Sequence, residues 1–115
     1  MVAPNLKPTG TLSQVVFVHD YLQLVFQSES FSVFNVCEVA RGEVVSRCGE
    51  PGFCDAVVAL IGQHVNGVSA SSPFKLALTF EDGSAFRILS HHRANGPEAF
   101  AWHGPGNTII VEQNA

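Results

Sequence analysis

Hydrophobic and polar positions alternate along much of this chain, at the period of a β-strand. Val15-Val16-Phe17-Val18 is a short β-rich run, and His19-Asp20 reads as a turn. From Tyr21 to Phe26, Leu22, Leu24 and Phe26 fall on one face and Tyr21, Gln23 and Val25 on the other. Phe31 to Val39 is a further strand candidate, with Phe31 and Val33 on one face and Phe34 and Val36 on the other. A strand apolar on both faces is central in a sheet or covered by a partner. Arg41-Gly42 marks a turn, and residues 43–46 form a short strand.

The period then changes. Phe53, Val57, Leu60 and Ile61 recur at helical spacing, with Pro51 near the start and Gly62 just past the end. Cys54, Val58 and Ala59 occupy the other side, which predicts a helix lying across the sheet with little of it facing water. Strand patterns resume at residues 64–70, 74–80, 85–89, around Phe100-Ala-Trp102, and at 108–112.

The turn between Phe80 and Ala85 fixes a register. A three-residue loop, Glu81-Asp82-Gly83, pairs Leu78 with Phe86 and Leu76 with Ile88. That keeps the large apolar groups on one face, and Gly83 supplies the left-handed residue such a loop needs. A two-residue loop would put Phe86 and Phe80 on opposite faces.

Leu22-Gln-Leu-Val-Phe26 followed by Phe31-Ser-Val33 is echoed by Leu76-Ala-Leu-Thr-Phe80 followed by Phe86-Arg-Ile88. The expected fold is therefore α+β: mostly antiparallel strands in two similar meanders, with one short helix packed on the sheet. Residues 1–11, with Pro4, Pro8 and Gly10, read as a flexible tail, and 12–115 as a single domain.

Composition adds to this picture. The chain is 46% hydrophobic and only 14% charged, against about 25% charged in an average soluble domain. Too few charges to cover the surface points to apolar surface buried against another chain, most simply as a homodimer. The net charge is −4, and between Lys7 and Arg41 there is no Lys or Arg while Asp20, Glu29 and Glu38 fall there. Without a basic run the chain lacks the phosphate-binding footprint of a nucleic-acid binder. No apolar stretch approaches the length of a membrane span or a signal-peptide core. The odd cysteine count, Cys37, Cys48 and Cys54, points to a reducing, cytoplasmic setting. Whether Cys48 and Cys54 meet is open; two buried thiols are the simpler reading.

No pattern defines a catalytic family or a cofactor site. His91 and His92 are adjacent, so on a strand they point to opposite faces, and His103 completes no zinc-ligand spacing with them. Glu81-Asp82 is a carboxylate pair at a hairpin tip, a poor place for general acid chemistry. Cys37, His19 and Asp20 have suitable residue types without a defining spacing. Tyr21, Phe34, Phe74, Phe100 and Trp102 are more aromatic groups than a small core readily hides on one face, and aromatics anchor protein interfaces.

Leu60-Ile-Gly-Gln63-His-Val65, followed by Phe80-Glu-Asp-Gly-Ser84, resembles a pattern in a family of small bacterial proteins of unknown function, over roughly residues 60–89, with residues 20–48 a looser match. The resemblance carries no catalytic residues. Some proteins of that kind resemble immunity partners of secreted toxins. The expected function is accordingly a non-enzymatic protein-interaction module, with an immunity-type toxin inhibitor as one concrete version. Tyr21, Glu29 and Phe34 are its candidate partner-binding residues. The alternative is a small-molecule binding protein or small enzyme with a pocket between the meanders, in which His19, Cys37 and His103 supply the polar groups.

Overall fold

The computed structural model describes residues 6–90 and 96–114. Among the described residues ten strands form two antiparallel sheets of five. In chain order the strands are β1 (Gln14–Val18), β2 (Tyr21–Val25), β3 (Ser30–Val33), β4 (Cys37–Arg41), β5 (Val44–Arg47), β6 (Val65–Ser69), β7 (Phe74–Phe80), β8 (Ala85–Leu89), β9 (Glu98–His103) and β10 (Ile109–Gln113), with a short α-helix, α1 (Phe53–Val58), between β5 and β6 and a 3-10 turn at Pro105–Asn107 between β9 and β10. The sheets run β1-β2-β3-β9-β10 and β5-β4-β8-β7-β6. The α+β fold with antiparallel meanders thus holds.

The internal echo has a topological counterpart. Each sheet is a three-stranded meander, β1-β2-β3 or β6-β7-β8, extended by a two-stranded hairpin from the other half of the chain, β9-β10 or β4-β5. The echoed segments are the central hairpins β2-β3 and β7-β8 of the two meanders. Because each half lends its terminal hairpin to the other's sheet, neither half closes its own core.

Inward residues of both sheets form one core. Leu24, Phe31 and Phe100 come from the first sheet, Leu76, Leu78, Phe86 and Ile88 from the second. The β7-β8 register is Leu78 with Phe86 and Leu76 with Ile88, as the three-residue loop requires, and Gly83 has φ +91°. Helix α1 is shorter and wetter than its pattern predicts. Phe53, Val57 and Leu60 are buried, whereas Cys54, Asp55, Val58 and Ile61 are exposed. Six residues at one end of the second sheet, against β4 and β5, offer too little length to cross it.

The stretch 6–11 also departs from the tail reading. Leu6 and Pro8 are buried, and Thr9 donates its N–H and hydroxyl to the Glu29 carboxylate at 2.8 and 3.1 Å. A buried carboxylate with two donors ties this segment down. Residues 1–5 lie outside the described residues. Among the described residues no helix is long and apolar enough to cross a membrane.

The Leu60–Val65 segment and the Phe80–Ser84 loop meet in space. Gln63 Nε2 donates to Asp82 Oδ2 at 3.0 Å, Asp82 N donates back to Gln63 Oε1 at 3.3 Å, and His64 N donates to Glu81 Oε1 at 2.7 Å. Asp82 also accepts from Ser84 N at 2.8 Å and from Arg41 at 3.1 Å. The pattern clamps the β6 approach to the β7-β8 loop. The bond from the Ser84 N–H leads those holding the Asp82 carboxyl below its ordinary value, and the His64 N–H does the same for Glu81. Both pKa values are depressed on folding. Their stabilisation is therefore complete above the unfolded-chain values near pH 4 and is lost as pH falls through the folded values. Urea midpoints measured across the acid range should fall less steeply below about pH 4 for Asp82→Asn than for the wild type.

Candidate functional site

Strand β2 presents Leu22 and Leu24 to the core and leaves Tyr21, Gln23 and Val25 half-buried. At its start, beside the His19-Asp20 turn, Tyr21 stacks on Phe34, with ring centroids 5.4 Å apart and tilted by 49°. Phe34 opens the crossover that takes the chain from β3 in one sheet to β4 in the other. The N–H groups of Phe34 and Asn35 both donate to Ala99 O, at 3.0 and 3.1 Å. The buried Asn35 amide donates to Leu89 O at 2.8 Å and to Asn114 Oδ1 at 2.7 Å, and accepts from Asn114 Nδ2 at 2.9 Å. The crossover is thus pinned to β8, β9 and the chain end beyond β10, which fixes the aromatic pair.

Two clefts meet at this crossover. The first, of about 320 Å³, runs from Phe17, His19, Asp20 and Tyr21 past Phe34 to Cys37, Cys48, Phe53 and Cys54. The second, of about 360 Å³, lies on the other side of Asp20 and Phe34 and is lined by Gly96, Pro97 and Glu98. Asp20 and Phe34 form the wall common to both. Among the described residues the linings hold two carboxylates, Asp20 and Glu98, and no Lys or Arg. His19 and Asp20 stand well out in solvent, with Nε2 and Oδ1 3.5 Å apart.

The structure therefore brings together two of the three residues expected to bind a partner, Tyr21 and Phe34. Glu29 is not with them. It is 7% exposed, and its carboxylate is occupied by Thr9, so it anchors the N-terminal segment and is corrected from a surface contact to a structural one. Of the residues suggested for a small-molecule pocket, His19 and Cys37 line the first cleft and His103 does not. His103 ends β9, opposite Ser30 and Ile109. His91 and His92 lie outside the described residues. Among the described residues no group of three or more His, Cys, Asp or Glu is placed to hold a metal ion.

Two features of the site escaped the sequence reading. The sequence marks Asp20 as part of a turn, and the fold places that turn where Asp20 lines both clefts. The sequence suggests buried core thiols, with Cys48 and Cys54 as the pair that could meet. Cys48 is half-buried and Cys54 exposed, and the residue facing Cys48 is Cys37. Comparisons of the chain with models of protein families, with curated proteins and with solved structures gave no match.

Proposed function

We propose that this chain is a non-enzymatic protein-interaction module that binds a basic partner through the paired clefts at the β3-β4 crossover. One observation carries the reading: Asp20 and Phe34 are shared by two clefts that hold carboxylates and aromatic rings and, among the described residues, no Lys or Arg. Such a surface accepts a Lys or Arg stem against Tyr21 and Phe34 while the charged head meets Asp20 or Glu98. The negative net charge steers a basic partner to it, and aromatic burial holds it there. Inhibition of a toxin by covering its basic surface is one concrete form of this binding. Titrating the 15N-labelled chain with N-acetyl-arginine amide tests the chemistry of the clefts. Amide shifts are expected at Asp20, Phe34 and Glu98; shifts confined to other surfaces contradict the reading.

A second mode of association rests on a separate observation. Strand β10 is an edge strand whose Ile109, Ile110 and Val111 are all exposed, Ile109 by 59%. Three consecutive exposed apolar residues beside unpaired backbone groups make a template for strand addition. An antiparallel edge is self-complementary about a two-fold axis, so a second copy is the occupant we infer. Sedimentation velocity should show a dimer that Ile110→Lys converts to monomer; a wild-type chain monomeric at all accessible concentrations speaks against it.

A further inference from the structure

The floor of the first cleft carries chemistry that partner binding does not use. Strands β4 and β5 are joined by a tight turn, with Arg41 opposite Val44 and Glu38 opposite Arg47. One step further along the same register, Cys37 faces Cys48. Cys48 N donates to Cys37 O at 2.9 Å, and Cys37 N donates to Cys48 Sγ at 3.4 Å. Residues directly opposite on antiparallel strands have Cα atoms about 4.5–5.5 Å apart, within the range a disulfide spans. Both sulfurs border the cleft, Cys37 from the buried side and Cys48 half-exposed.

We propose that the floor of this cleft is a thiol–disulfide exchange site, with Cys48 as the attacking sulfur, Cys37 as the resolving sulfur and a low-molecular-weight disulfide as the oxidant. This inference does not rest on the basic-partner reading.

The environments of the two sulfurs divide the roles. Cys48 accepts hydrogen bonds from the Cys37 thiol and N–H and lies beside Arg47, which together bring its pKa down to about 6. The same thiol–thiol bond, with burial, pushes Cys37 up. The half-exposed Cys48 is therefore the sulfur disposed to act as thiolate, and the buried Cys37 the one that keeps its proton. In the first step the Cys48 thiolate attacks one sulfur of the disulfide RSSR. A Cys48–SR bond forms, the S–S bond of RSSR breaks, and one RS⁻ leaves. In the second step Cys37 sulfur attacks Cys48 Sγ. The Cys37–Cys48 bond forms, the Cys48–SR bond breaks, and the departing RS⁻ takes the Cys37 proton. Two protein sulfurs are oxidised and one small disulfide is reduced to two thiols. The product staples the β4-β5 hairpin at the end that borders the cleft.

The test uses the full chain, reduced, and treated at pH 7 with 2-hydroxyethyl disulfide. Samples are quenched in acid and mapped by peptide mass spectrometry. The expected course is a transient adduct on Cys48 followed by a Cys37–Cys48 crosslink, with Cys54→Ser behaving alike. Cys37→Ala should stop at the Cys48 adduct. At pH 6 the first step in Cys54→Ser should run roughly 10-fold faster than with a free thiol of ordinary pKa, because the larger thiolate fraction outweighs its lower nucleophilicity. A crosslink between Cys48 and Cys54, a Cys48 adduct in Cys54→Ser that never resolves, or first attack at Cys37 overturns the proposal.

Discussion

Glu38→Leu is expected to destabilise the domain by about 3 kcal/mol, the largest effect we foresee for a residue outside the apolar core. Glu38 lies on β4 between Cys37 and Val39, which point into the core, and its own side chain is only 5% exposed. It is sandwiched by the register: Arg47 of β5 on one side and Arg87 of β8 on the other are its cross-strand partners. Arg87 Nη2 lies 2.6 Å from Glu38 Oε2, and Arg47 Nη2 lies 3.1 Å from Oε1. The Arg87 guanidinium also rests over the Phe74 ring at 4.8 Å, and its Nε has no partner among the described residues. Removing the carboxylate leaves a largely covered cation with nothing to balance it. Arg47 is half-exposed, so Arg47→Ala should cost well under about 1 kcal/mol. Urea denaturation of the two variants checks both values. Equal midpoints for Glu38→Leu and wild type would show that the three-residue charge cluster contributes nothing.

Phe31→Ala should cost about 3–5 kcal/mol. Phe31 is fully buried at the centre of the first sheet, opposite Leu24 on β2 and Trp102 on β9. Its ring meets Phe26 edge-on at 6.2 Å and Phe100 at 6.3 Å. Leu24, Phe100 and Trp102 around it are each held by a strand of the same sheet, which limits how far they can move into the space. A domain of this size has about 5–15 kcal/mol in total, so the variant sits near the threshold of folding at 37 °C. Phe31→Leu keeps most of the volume and should lose less than half as much. A scanning calorimetry midpoint for Phe31→Ala within a few degrees of wild type would contradict this account of the core.

How much of this was legible beforehand depended on the residue. The β7-β8 register could be derived because only one loop length keeps Leu76, Leu78, Phe86 and Ile88 on one face. The repeat could be seen, but not that each half gives its last hairpin to the other's sheet, since alternation says which face a residue takes and not which strand lies beside it. Val58 and Ile61 fit an apolar helical pattern, yet the helix ends at Val58 and leaves both exposed. Glu29 looked like a surface acid; only the fold of residues 6–11 reveals Thr9 as its donor. The Cys37-Cys48 and Glu38-Arg47 pairings were in principle within reach, for counting outward from the turn after Arg41 gives both. The clefts were not, because the β1-β2 turn and the crossover meet α1 in the first and the start of β9 in the second, from distant parts of the chain.

The measurement that bears most directly on the proposed function is affinity capture from a lysate of the source organism. Wild-type chain and the double variant Asp20→Asn/Phe34→Ser serve as baits, washed at low and high salt, after circular dichroism has shown both to be folded. The account predicts a near-stoichiometric basic protein held by the wild type at low salt, released by high salt, and absent from the double variant. A partner retained equally by both baits, or an acidic partner insensitive to salt, would contradict the assignment of binding to the crossover clefts.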